Sequence, residues 1–157
     1  MVPMLILAAL SAAAPLFARA SEDLFGLAPC ELCLWQRWPY WVAAGLALGA
    51  ALWPRGRRWL GPLALLAVLA SGAIGVFHVG VEQGWWPSPL AGCQVPQSTG
   101  GSVEDMLRSL QAAPSKPCGA PAYLIPGLPV SMAAMNILYA LGLSVLGLIW
   151  MRRGAKA

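Results

Sequence analysis

Trp59-Leu-Gly-Pro-Leu-Ala-Leu-Leu-Ala-Val-Leu-Ala-Ser-Gly-Ala-Ile-Gly-Val-Phe-His-Val-Gly-Val81 runs for 23 residues without a charged side chain. A helix of about 20 apolar residues crosses the hydrocarbon core of a bilayer, with a usable range of about 17–25. This stretch therefore reads as a membrane span. Leu128–Met151, with 24 residues, qualifies in the same way. Trp38–Trp53 has only 16 and qualifies when its helix begins near Leu34, which puts Gln36 and Arg37 at headgroup level. Met1–Ala18 has 18 and ends in Ala18-Arg19-Ala20, a pattern like a signal-peptide cleavage site. No Lys or Arg precedes that apolar run, and it is long for the core of a signal peptide, so an uncleaved helix is expected. The expected fold is all-α: a four-transmembrane-helix bundle, one membrane domain over residues 1–157. Its helices cover about 1–18, 34–53, 59–81 and 128–151, and segments 19–33 and 82–127 lie on one side.

Composition excludes the main alternatives. The 157 residues are 59% hydrophobic and 10% charged, against about 45–50% and about 25% in soluble domains. So few charges cannot cover a soluble enzyme of this size. So many apolar residues are equally incompatible with a disordered chain. The net charge of +4 invites a nucleic-acid reading, but the placement of the cations speaks for topology. Arg55, Arg57, Arg58, Arg152, Arg153 and Lys156 fall on one side with no acid beside them. All six acids, with Arg19, Arg37, Arg108 and Lys116, fall on the other. That is +6 against −2, and the Lys/Arg bias places both termini in the cytoplasm and segments 19–33 and 82–127 outside. Trp35, Trp38, Trp85 and Trp86 near outer ends, and Trp53, Trp59 and Trp150 at inner ends, form the aromatic belts expected at both interfaces. Gly45 and Gly49, with Gly72, Gly75 and Gly142, supply small residues for helix contacts.

The outer segment 82–127 is 46 residues long and rich in Pro and Gly. Within it Val103, Met106, Leu107 and Leu110 share one helical face, and Ser102 with Asp105 makes a capping-box-like start. A short amphipathic helix on the membrane surface is expected there.

All four cysteines, Cys30, Cys33, Cys93 and Cys118, map to the outer side, where disulfides persist. Four cysteines allow three connectivities. Cys30-Glu-Leu-Cys33 encloses too short a loop to act as a structural staple. A CxxC opening a helix is the arrangement of a redox-active thiol pair, because a helix start and nearby cations lower a thiol pKa. Cys93 and Cys118 enclose the amphipathic stripe and make the natural second pair. Leu34 follows Cys33 where c-type haem attachment needs His. The second pair also lacks the spacing of a zinc site, so no metal is expected. Cys30, Cys33 and Arg37 fall at i, i+3 and i+7, on one face when the helix begins near Pro29. An Arg at that depth is costly and usually functional. It is suited to stabilising a Cys33 thiolate and the developing charge of an electron acceptor. Against that stands a simple snorkel to lipid phosphate. His78 and Glu82, four apart, read as a polar pair at the interface.

Pro29-Cys-Glu-Leu-Cys-Leu-Trp-Gln-Arg37 resembles the C-x-L-C-x-x-x-R signature of the disulfide bond formation protein DsbB family. Trp86-Pro-Ser-Pro-Leu-Ala-Gly-Cys93 resembles that family's path into its second outer loop, and Cys118 followed by Ser131-Met-Ala-Ala-Met-Asn136 its path into the last helix. The N-terminus lacks the cytoplasmic lead-in usual there. The resemblance implies an inner-membrane quinone reductase that reoxidises DsbA, a soluble periplasmic thiol oxidase. It implies electron flow from Cys93–Cys118 to Cys30–Cys33 and on to ubiquinone or menaquinone. Cys33 would be the thiolate facing the quinone, Cys30 the member exchanging with the loop pair, and Arg37 a quinone contact. The expected partners are thus the thiol oxidase, the quinone and the lipid bilayer, with no nucleic acid. Two alternatives stay open: a vitamin K epoxide reductase-like enzyme, whose CxxC lies on a later helix, and a structural four-helix membrane protein with a stapled loop.

Overall fold

A chain this apolar satisfies its backbone polar groups within helices, since lipid offers no partners. The computed structural model describes residues 1–90, 93, 103, 116–125 and 127–154. They form helices α1 (Val2–Phe25), α2 (Glu31–Trp35), α3 (Arg37–Leu52), α4 (Arg57–Glu82) and α5 (Met132–Gly154), with a 3₁₀ turn at Pro54–Gly56. Among the described residues there is no strand, only an isolated bridge between Tyr123 and Ser131. Three helical stretches, Val2–Phe25, Pro54–Glu82 and Met132–Arg153, are long and apolar enough to cross a membrane.

Three boundaries differ from the sequence expectation. The first helix does not stop at Ala18. Arg19 lies 3.8 Å from Glu22 and 3.9 Å from Asp23, pairs at helical spacing that suit continuation. It ends at Gly26, whose φ of 62° is the left-handed cap that glycine adopts without penalty. The second helix starts earlier than Leu34 but is broken at Gln36. Pro39 explains the break: it has no N–H for the carbonyl of Trp35, and its ring crowds that carbonyl. Gln36 itself keeps a helical backbone, φ −63° and ψ −21°, so α2 leads directly into α3. The last helix begins at Met132 rather than Leu128, where the Ser131 hydroxyl accepts from the Ala134 N–H at 3.3 Å and caps the first turn.

The core is built from small side chains. Ala43, Ala47, Ala50 and Ala51 of α3 pack with Ala64, Leu65 and Val68 of α4, and Met4 and Leu7 of α1 with Ala140 and Leu143 of α5 complete the cluster. The α3 alanines make this contact, whereas a side chain at Gly45 would meet nothing. Gly72 and Gly75 do serve close approach. A Cβ at Gly72 would lie 3.0 Å from that of Ala140, and one at Gly75 would lie 3.1 Å from Asn136 and Ile137. Helices α4 and α5 therefore cross tightly, while α1 and α5 meet only sparingly. The gap between α1 and α5 becomes the site. The expected amphipathic helix at Val103–Leu110 lies outside the described residues, apart from the exposed Val103.

Candidate active site

Cys30 is the N-cap of α2 and has an extended backbone, φ −96° and ψ 169°. Its sulfur accepts from the Cys33 N–H at 3.2 Å. One helical turn brings the Cys33 sulfur to 2.6 Å from it, and both cysteines are free. Cys93 and Cys118, 25 residues apart, form a disulfide. That disulfide is not remote from the CxxC. Cys30, Leu32, Val81, Cys93 and Cys118 make one buried cluster at the outer end of α4. All four cysteines thus share one corner of the molecule.

Cys33 also faces the other way, into a cavity of about 370 Å³ between α1, the α2–α3 junction and α5. Its walls are mostly apolar, and its polar lining includes Glu22, Cys33, Gln36, Arg37, Tyr40 and Asn136. Arg37 does not depend on lipid phosphate for a partner. Its guanidinium is paired with the Glu22 carboxylate of α1, and its Nε is a buried donor without a partner among the described residues. An unpaired buried donor is expensive, and the same side chain contributes to the wall of a cavity of ligand size.

A hydrogen-bonded chain runs behind the cavity. Tyr40 donates to Asn136 Oδ1 at 2.9 Å, Asn136 Nδ2 donates to Gln36 Oε1 at 2.8 Å, and Gln36 Nε2 lies 2.7 Å from His78 Nδ1. The Ser71 hydroxyl donates to the Gln36 carbonyl at 2.7 Å. His78 and Glu82 are not an interfacial pair. Their side chains are 3% and 4% exposed, with His78 Nε2 3.9 Å from Glu82 Oε1. Helix α4 turns them toward α2 and α5, where Ser131 donates to Glu82 at 2.6 Å. Glu22, Gln36, Tyr40, Ser71 and Asn136 are the site residues that sequence reasoning passed over. The available signal was simply that each is polar within or beside an apolar span, where polar groups need partners.

The two thiols of the CxxC are inequivalent. The Cys33 thiol is lowered to about 7, chiefly by the hydrogen bond from Cys30 and with help from Arg37, against burial and Glu82. The Cys30 thiol is pushed up, first by that same shared hydrogen bond and then by burial. Of the two, Cys33 is the thiol that ionises more readily and Cys30 the one that keeps its proton. The sign for a lowered thiol is that reactivity is present above the shifted pKa and lost as pH falls through it. Alkylation of the reduced Cys33 should rise with a midpoint near pH 7. A midpoint at or above about 8.5, the value for a free cysteine, would contradict this asymmetry.

Cys30, Cys33 and His78 bring possible metal-ligating atoms within 4.8 Å of one another. Zinc–sulfur bonds of about 2.3 Å in a tetrahedron hold their sulfurs roughly 3.7 Å apart. The two sulfurs here lie 2.6 Å apart, closer than two ligands of one zinc ion.

The family model for disulfide bond formation protein DsbB matches residues 2–150. The chain belongs to the DsbB family. It is also similar to the uncharacterized protein RP370 of Rickettsia prowazekii (strain Madrid E). That relative is 29% identical over 147 residues, which cover 92% of this chain and 84% of the relative. No solved structure matches the chain. DsbB membership and the long apolar helices make this a multi-pass membrane protein of disulfide bond formation, a disulfide oxidoreductase that acts with a thiol oxidase.

Proposed function

We propose that this protein reoxidises a DsbA-like periplasmic dithiol oxidase and passes the electrons, through Cys93–Cys118 and then Cys30–Cys33, to a membrane quinone. The observation that carries the proposal is the two-sided position of the CxxC. Cys30 is buried against the loop disulfide, while Cys33 lines the cavity beside Arg37.

The residues present fit a quinone. The cavity of about 370 Å³ falls in the range of small-ligand sites, roughly 300–1,000 Å³. Its apolar walls suit a ring with an isoprenoid tail, and the Arg37 guanidinium in its wall suits a carbonyl oxygen that gains charge on reduction. Arg37 and Cys33 would hold the ring, and either ubiquinone or menaquinone meets these demands. When bound, it supplies a two-electron acceptor more oxidising than the thiol pairs.

The chain's own residues carry out the exchange. A thiolate of the partner attacks Cys93, and Cys118 leaves with the electron pair of the loop disulfide. The partner's second thiol then displaces Cys93 and the loop pair is left reduced. Cys118 attacks Cys30, the Cys30–Cys33 bond breaks, and Cys33 leaves as the stabilised thiolate. Attack on Cys93 is favoured by access, since Cys118 is 0% exposed and Cys93 6%. Lys116, two residues before Cys118, also favours Cys118 as the leaving thiolate. With a partner lacking its resolving cysteine, attack on the intact loop disulfide leaves a mixed disulfide and one free loop thiolate, and peptide mapping after acid quenching should find the partner joined to Cys93 and Cys118 free. The opposite pattern would exchange the two roles.

This reading includes a four-span topology at the cytoplasmic membrane of a bacterium. Residues 34–53, taken as one kinked helix, are about 30 Å long at 1.5 Å per residue, the thickness of a hydrocarbon core. They form the remaining span between α1 and α4. The positive charges then place both termini in the cytoplasm and all four cysteines on the periplasmic face.

A further inference from the structure

The chain has one histidine, His78. It is buried among Cys30, Gln36, Glu82 and the main chain of Cys118, and the hydrogen bonds around it determine which ring nitrogen carries the proton. Gln36 Nε2 lies 2.7 Å from His78 Nδ1 and also 3.2 Å from the Leu32 carbonyl oxygen. A main-chain carbonyl only accepts, so the atom facing it is the amide NH2. The far end of the same amide is held equally firmly. Asn136 Nδ2 donates to Gln36 Oε1 at 2.8 Å and to the Ser71 carbonyl at 3.2 Å. Asn136 Oδ1 accepts from the Tyr40 hydroxyl at 2.9 Å. Two acceptor-only carbonyls therefore orient two amides head to tail. His78 Nδ1 must accept, and in a neutral imidazole the proton then sits on Nε2. That nitrogen lies 3.5 Å from the Cys30 sulfur. The Glu82 Oε1 is farther away, at 3.9 Å, and Glu82 Oε2 is engaged by Ser131.

We propose that His78 is a catalytic hydrogen-bond donor to the Cys30 sulfur during dithiol exchange, and that Gln36 and Asn136 are positioning residues that hold it in the Nε2–H tautomer. The proposal rests on the relay described above and assigns a role within it. In the second half of the exchange, Cys93 attacks the Cys118 sulfur of the Cys118–Cys30 mixed disulfide. The Cys93–Cys118 bond forms, the Cys118–Cys30 bond breaks, and the electron pair goes to Cys30. Negative charge thus develops on the one sulfur that faces His78 Nε2–H. The proton lost by the Cys93 thiol ends on Cys30, and His78 is neutral before and after. In the reduced pair the same donor polarises the Cys30 S–H toward the Cys33 thiolate.

Because His78 is the chain's one histidine, untagged protein labelled with ¹⁵N-histidine gives a single imidazole whose nitrogen shifts report the tautomer. The wild type should be Nε2–H. Gln36→Glu replaces the donor with a carboxylate that only accepts, and should turn His78 to Nδ1–H. Transfer from the reduced loop pair to Cys30–Cys33 is followed in quinone-free protein by acid quenching and alkylation. Loss of a hydrogen bond to a charged sulfur should slow it about tenfold in His78→Leu and in Gln36→Glu. His78→Gln, whose amide nitrogen takes the place of Nε2, should recover most of the rate. If His78→Leu does not fold, Gln36→Glu decides through both readouts. An Nδ1–H wild type, or transfer unchanged in His78→Leu or, failing that, in Gln36→Glu, overturns the proposal alone. Absence of transfer in the wild type overturns the relay and this proposal with it.

Discussion

Cys33→Ser is expected to lower quinone-coupled turnover on the order of 10³-fold or more, because it removes a covalent participant rather than a supporting contact. The loop disulfide stays intact in this variant, so one stoichiometric dose of partner dithiol should still be oxidised. Thereafter the loop pair has no electron exit. Cys30→Ser should stall for the same reason: in either variant the loop pair has no Cys30–Cys33 disulfide to attack. Steady-state oxidation of the partner by Cys33→Ser would mean that quinone reaches the loop pair directly, and the two-sided position of the CxxC would lose its functional meaning.

The second large effect is expected at Arg37 and separates binding from stability. Arg37→Ala removes the partner of Glu22, and both side chains are mostly buried, at 16% and 13% exposure. Stranding one member of such a pair costs on the order of 3 kcal/mol, so a clear fall in thermal midpoint should accompany the substitution. The same change removes the cationic donor from the cavity wall, and the quinone KM should rise about tenfold for one charged hydrogen bond. Arg37→Ala combined with Glu22→Ala leaves no stranded charge. It should regain stability without regaining KM. If KM recovers together with stability, or never rises in Arg37→Ala, Arg37 belongs to the fold and not to the acceptor site.

How far the sequence carries this account differs from element to element. Trp59–Val81 and Leu128–Met151 are legible as helices because an unbroken apolar run of that length has few other uses. Cys33 and Arg37 are legible as a pair because i and i+4 share a helical face, whereas Cys30, expected on that face, is an extended N-cap turned toward the loop disulfide. Where α4 directs His78 is not legible, since a helix apolar on every side gives no periodicity from which to choose its buried face. The Glu22–Arg37 pair is hidden for a different reason. Its members lie 15 residues apart across the Gly26 turn, and only the packing of α1 against α3 joins them. Pro39 does announce the break at Gln36, but an apolar stretch counted by hydropathy alone passes over it. Gln36 and Asn136 are 100 residues apart. Each is an ordinary polar residue until the α4–α5 crossing at Gly72 and Gly75 brings α5 close enough to connect them.

The central claim is that dithiol electrons leave the protein through the cavity beside Cys33 and Arg37. The most direct measurement mixes the purified, quinone-depleted protein with reduced DsbA-like partner and a short-chain quinone without oxygen, and follows quinone absorbance and partner thiols together. One quinone reduced for each partner dithiol oxidised, with both signals lost in Cys33→Ser, is the result this account predicts. Catalytic oxidation of partner thiols without matching loss of quinone, or quinone reduction that persists in Cys33→Ser, would contradict it.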